Sequence, residues 1–176
     1  MKDIQINKKV MNKIKLKTLF LNFIILIIIF SIDRISKFYI LKLAQVESSV
    51  DIYVTSYLNL FLIWNKGIAF GLLSMNESIV YNFITLIISL IIVVILFMMW
   101  KNNNIQRYFL ALVAGGALGN LYDRIVYTAV PDFIDLHFQG FHWFVFNIAD
   151  IFITIGILCL ILVEVFYNNI SINEKN

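Results

Sequence analysis

The sequence predicts an all-α integral membrane protein, four transmembrane helices carrying a small extracytoplasmic β-sheet. Three observations predict it. Of 176 residues, 61% are hydrophobic and only 14% charged, and the mean hydropathy is +0.86, far from the composition of a soluble domain. Four stretches are long and apolar enough to cross a hydrocarbon core about 30 Å thick, which takes roughly 20 residues at about 1.5 Å of rise each. Between the first two of them, VDIYV alternates polar with apolar residues and YLNLFLIWN is rich in aromatic and branched side chains, which favours strands.

The first helix is expected over about Leu19–Ile40. KKVMNKIKLK and LFLNFIILIIIF before and within it have the form of a secretory leader, but DRISK follows in place of a small-residue cleavage site, so the helix is expected to stay. A connection over about 43–78 comes next, with the strand-forming segment at about 43–73 punctuated by Gly67 and Gly71. The second helix is expected over about 79–100, the third over about 105–122 and the fourth over about 148–167. Lys2, Lys8, Lys9, Lys13, Lys15 and Lys17 precede the first helix, and Lys101 and Arg107 lie between the second and third. By the positive-inside rule both termini belong in the cytoplasm and the long connections, about 43–78 and 123–147, face outward. With no internal repeat or low-complexity linker, residues 1–176 read as a single membrane-embedded domain.

Several classes of function are excluded by inventory. Cys159 is the only cysteine, so neither an intramolecular disulfide nor a thiolate cluster can form. The net charge of +3 is small and its lysines are bunched at the N-terminus, so no nucleic-acid partner is expected. There is no HExxH, GxSxG, P-loop or dinucleotide fingerprint. His137 and His142 lie five apart in an aromatic loop with no matching carboxylate pattern, so they read as interfacial residues, with no metal and no cofactor expected.

The polar residues inside the apolar segments share a depth. Asp33 lies about 14 residues into the first helix, about 21 Å from its inner end, and Lys37 follows one turn on, at i+4. Asn120, Asp123 and Arg124 stand at the outer end of the third helix, and Asn147 and Asp150 at the outer start of the fourth. A charge at such depth costs a few kcal/mol, so these residues are expected to face one another or a wet cavity. Each also has a bland reading. Lys37 and Arg124 can snorkel to headgroups, Asp33 with Lys37 and Asp123 beside Arg124 can be structural ion pairs, and Asn147 can be an N-cap with Asp150 at the third helical position. In GGALGN, 115–120, the glycines weaken a helix by about 1 kcal/mol each, a cost that close helix packing offsets.

Carboxylates are the chemistry that remains. Two of them close together in a low-dielectric site cannot both ionise; they share a proton, so one can activate a water while the other donates to a carbonyl. Asp132 and Asp150, flanked by apolar residues in PDF and IADIF, are the best pair, with Asp135 the main competitor.

DRISK (33–37), NKGIAF (65–70), GGALGNLYDR (115–124), PDF (131–133) and FNIAD (146–150) occur in this order, and together they resemble the lipoprotein signal peptidases, the type II signal peptidases of the bacterial inner membrane. The resemblance implies an intramembrane aspartyl endopeptidase that removes signal peptides from diacylglyceryl-modified prolipoproteins, cutting before the lipidated cysteine. It implies Asp132 and Asp150 as catalytic residues, and Asn65, Gly116, Asn120, Arg124 and Asn147 as residues that line the substrate pocket or hold the pair. Asp33, Lys37 and Asp123 become supporting partners. It also implies a membrane-lipid environment, a monomer and inhibition by globomycin-type cyclic peptides. Pro131 departs from the family's usual aliphatic residue, which touches loop geometry and leaves the carboxylate in place. Two alternatives belong to other classes. A proton or ion transporter would need a relay across the membrane, for which the second helix offers only Asn82, Thr85 and Ser89. A non-catalytic assembly factor would use GGALG as its packing surface.

Overall fold

A computed structural model describes residues 2–47, 49–67, 77–102 and 104–173, with side chains over 16–47, 49–67, 79–102 and 104–166. The order is α1 (Lys2–Glu47), β1 (Asp51–Thr55), β2 (Leu58–Asn65), α2 (Glu77–Lys101), α3 (Gln106–Tyr127), β3 (Val130–Phe138), β4 (Phe141–Phe146) and α4 (Ile148–Asn173). Four helices are long and apolar enough to cross a membrane, over Leu16–Glu47, Ile79–Lys101, Gln106–Tyr127 and Ile148–Phe166. Residues 68–73 of the expected strand-forming segment lie outside the described residues.

α3 is the central helix. Half of its apolar window is buried, against 11% for α2 and α4, and its glycines explain how. A Cβ on Gly115 would fall 2.8 Å from Ile29 Cβ, and one on Gly119 2.5 Å from Asp33 Oδ2, both on α1. Gly116 turns the other way, where a Cβ would meet Ala149 O of α4 at 2.5 Å, and Gly156 of α4 answers it against Val113. Two faces of small residues thus let α3 touch α1 and α4 at once, the packing that membranes favour in place of a hydrophobic driving force.

The sheet is antiparallel throughout, in the order β1-β2-β3-β4. It is larger than the first connection alone supplies, because the second connection contributes the β3–β4 hairpin. The hairpin turns at Gln139 and Gly140, with φ of 50° and 83°, a two-residue loop with both positions left-handed that matches strand twist. β3 escapes periodicity because it is buried on both faces from Val130 to Phe133, so no alternation marks it. Pro131 is tolerated because β4 pairs with β3 only from Ile134 onward. Beside Pro131 the strand has a neighbour on one side, Trp64 of β2, and needs no amide on the other. Ile40, Val50 and Phe133 form a small core, with Leu60, Leu62 and Ile148 against it, that seats the sheet on the ends of α1 and α4.

Candidate active site

Where the sheet meets the helices, the polar residues of four segments converge. The α1–α3 part is ionic. Arg34 donates from Nη1 to Asp123 Oδ1 at 2.5 Å and from Nη2 to Asp123 Oδ2 at 2.7 Å, and the same Nη2 reaches Asp33 Oδ2 at 2.7 Å and Gly119 O at 3.1 Å. Lys37 Nζ spends its three donors on Asp33 Oδ1 (3.0 Å), Asp123 Oδ2 (2.7 Å) and Asn120 Oδ1 (2.8 Å). Lys37 is 1% exposed and both aspartates are fully buried, so Lys37 does not snorkel. Asp123 pairs with α1 rather than with its neighbour Arg124, because consecutive helical residues point about 100° apart.

Asn147 organises the second part. It caps α4, accepting from Asp150 N at its Oδ1 (3.1 Å) while its own N–H donates to Asp150 Oδ2 (3.1 Å). That reciprocal arrangement is a capping box with aspartate at the third position. The same side chain donates from Nδ2 to Asp132 Oδ1 at 2.6 Å, so one buried asparagine joins the two carboxylates. Asn65 Nδ2 holds Asp132 Oδ2 at 2.9 Å, and Asn120 Nδ2 holds Asp150 Oδ1 at 2.8 Å. Asn120 faces Asp150 with its NH2 because Lys37 has claimed its oxygen. The α4 start is pinned to α1 by Ala149 N–H donating to Asp33 Oδ1 at 3.0 Å.

Burial pushes the Asp132 carboxyl above its ordinary range. The Asn65 and Asn147 donors oppose that, the nearby Asp150 adds to it, and Lys37 opposes it from a distance. Among the described residues each oxygen of Asp132 and of Asp150 has one protein donor, which leaves acceptor capacity for a water or a shared proton.

Arg124 stands apart. Its guanidinium packs against Gly67, whose φ is +76° and where a Cβ would fall 2.6 Å from Nη2, and lies 5.6 Å from the Tyr81 ring centroid. Among the described residues its Nη1 is buried without a hydrogen-bond partner. Asp135 does not join the pair: its Oδ2 meets His142 Nδ1 at 2.8 Å, and an offset of three along a strand turns it away from Asp132. The histidines, expected to lack a carboxylate, therefore have one.

The fold and the sequence as a whole agree with known proteins. The family described as signal peptidase (SPase) II matches residues 25–166. The chain belongs to that family. It is 71% identical over 166 residues to the lipoprotein signal peptidase of Pelagibacter ubique, covering 94% of this chain and all of the relative. Against the lipoprotein signal peptidase of Anaplasma phagocytophilum it is 40% identical, covering 80% of this chain and 89% of the relative. A bacterial membrane enzyme solved by the in meso method superposes with a TM-score of 0.67 at 27% identity, covering 84% of this chain and 88% of that one. The chain is thus a multi-pass membrane peptidase. The residue that sequence reasoning passed over is Arg34, quoted within DRISK and given no role. The signal was there, since an arginine beside a membrane-depth aspartate needs partners of its own.

Proposed function

We propose that the chain is an aspartyl endopeptidase acting within the membrane on diacylglyceryl-modified prolipoproteins, with Asp132 and Asp150 as its catalytic pair. The observation that carries the proposal is the Asn147 bridge, which ties both carboxylates to one buried residue and leaves each with an unused acceptor site.

In the reaction, the ionised carboxylate of the pair takes a proton from a water, and the oxygen of that water attacks the scissile carbonyl carbon. The protonated carboxyl donates to the carbonyl oxygen, giving a neutral tetrahedral diol. Collapse of the diol breaks the C–N bond as a proton passes to the leaving nitrogen, and the pair again holds one proton. Asn65, Asn120 and Asn147 hold the carboxylates without supplying charge, so the proton stays transferable. Arg124 reaches toward substrate backbone carbonyls with its unmatched N–H, while Gly116 lets the start of α4 approach α3. The lysines in the N-terminal part of α1, with Lys101 and Arg107, support cytoplasmic termini, which puts the pair at the outer leaflet, where a lipid-anchored cysteine presents its scissile bond. The chain works as a monomer, and globomycin-type peptides compete for the same site. A transmembrane proton relay has little support, because Thr85 and Ser89 of α2 return their hydroxyls to the carbonyls of Tyr81 and Thr85.

The test is cleavage of a diacylglyceryl-modified prolipoprotein peptide by purified protein in detergent. Wild type is expected to cut in the presence of chelator, and Asp132→Asn and Asp150→Asn each to abolish turnover while remaining folded. Cleavage by both variants would overturn the pair.

A further inference from the structure

A second cluster of chemistry-bearing groups lies on the sheet, apart from the carboxylate pair. His137 and His142 are directly opposite across β3 and β4, with ring centroids 5.1 Å apart and planes 24° from parallel. Asp135 precedes His137 by two residues and so shares its face of β3. Between these pairs the register shifts, three residues of β4 spanning two of β3, which swings His142 toward Asp135. His142 Nδ1 lies 2.8 Å and His137 Nδ1 3.8 Å from the same carboxylate oxygen, Asp135 Oδ2. One ligand atom from each of the three side chains lies within 4.8 Å of the others.

A hydrogen bond from His142 to Asp135 accounts for only part of this. Asp135 is 4% exposed, yet among the described residues its Oδ1 is buried with no hydrogen-bond partner, as are His137 Nδ1 and Asn59 Oδ1. Asn59 faces Asp135 directly in the β2–β3 register, and Asp51, Asn59, Asp135 and His142 line one cavity of about 360 Å³. A buried carboxylate beside these groups, with no lysine or arginine among the described residues that line the cavity, is an arrangement that suits a cation.

We propose that Asp135, His137 and His142 bind a divalent transition-metal ion, zinc foremost, with Asn59 Oδ1 or water completing the tetrahedron. Imidazole nitrogens with one carboxylate suit zinc rather than magnesium or calcium, which take oxygen ligands. Zinc–ligand bonds of about 2.0–2.2 Å place tetrahedral ligands about 3.3 Å apart, and the two separations of 2.8 and 3.8 Å bracket that edge. Entry is open on the side of His142, whose side chain is 57% exposed. The ion cross-links β3 to β4 beyond the hairpin turn and steadies the strand that carries Asp132, without touching that carboxylate.

Zinc titration of the full chain in detergent, after chelator stripping and dialysis, tests this by calorimetry and thermal unfolding. One ion per chain is expected to bind saturably, with the Tm climbing with zinc concentration as mass action requires and no response to magnesium. Asp135→Asn and His142→Ala are each expected to weaken binding at least tenfold, and His142→Ala keeps its fold because that side chain is largely outside the core. The double variant Asp132→Asn/Asp150→Asn is expected to bind zinc like wild type, which separates this site from the peptidase reading. No saturable binding by wild type, binding indifferent to Asp135→Asn and His142→Ala, or binding lost in the double variant would overturn the proposal.

Discussion

Asp33 and Asp123 on one side, and Asp132 and Asp150 on the other, are buried aspartates or nearly so, within one network, yet they are held by opposite means. The first two are held chiefly by cations: Arg34 and Lys37 between them contact all four oxygens. The second two are held by neutral donors from Asn65, Asn120 and Asn147. A carboxylate locked to a guanidinium and an ammonium acts as a joint between helices. One held by amides in a desolvated setting can exchange a proton. On the proposed function the difference separates scaffold from chemistry, and Asn120 connects the two regions, giving its oxygen to Lys37 and its NH2 to Asp150.

Changing carboxylate to amide in each region is the sharpest way to break this comparison. Asp132→Asn or Asp150→Asn is expected to lower single-turnover cleavage by at least about 10³-fold, within the range for general acid–base groups. Stability follows a different sign. Because burial raises Asp132 above its ordinary 3.8, the folded state binds that proton more tightly than the unfolded chain. Stability therefore falls as pH rises from the unfolded value through the folded one. Asp132→Asn removes that penalty, so thermal unfolding at neutral pH should show no loss.

Asp123→Asn should behave in the reverse manner. It leaves Arg34 and Lys37 facing a neutral group, and breaking a buried pair costs about 3–5 kcal/mol, readable as a lowered unfolding temperature in detergent. The protein that remains folded should still cut. Full stability with abolished turnover would mean that the ionic region takes part in the chemistry.

A smaller effect is expected from Gly119→Ala, whose methyl would lie 2.5 Å from Asp33 Oδ2. Overpacking of this kind costs about 1–3 kcal/mol. Since Asp33 also anchors Ala149 N–H at the start of α4, stability and cleavage rate should decline together, whereas a stable but slow variant would uncouple them. The smallest effect is expected from Asn65→Ala, which removes a donor that lowers the Asp132 pKa. The pH–rate profile should move toward higher pH with the fold intact, and an unmoved profile would show that Asp132 does not set it.

Much of this organisation was legible along the chain. The four spans, the shared depth of Asp33, Lys37, Asn120, Asp123, Arg124, Asn147 and Asp150, and the strands of the first connection all rest on local composition or on a rise per residue that does not depend on neighbours. Asn147 as the cap of α4 and Asp150 at its third position were equally local. The β3–β4 hairpin was not legible, because a strand buried on both faces and opened by Val130-Pro131 has no alternation to display. Nor was the Asp135–His137–His142 cluster, which depends on a register shift between two strands. α1 and α3 also run past their expected ends, to Glu47 and Tyr127. In α3 the first polar residue past the expected end, Asp123, finds partners across the bundle in Arg34 and Lys37.

The sequence by itself determined that this chain spans a membrane four times and that its polar residues gather at one level, because hydrophobic length and depth are sums over consecutive residues. Tertiary structure alone decided which carboxylate meets a cation and which meets an amide. That choice turns on whether Gly115, Gly116 and Gly119 bring α1 and α4 close enough to α3 for side chains to touch, and separations of a few ångströms between distant segments are written in no single stretch of chain.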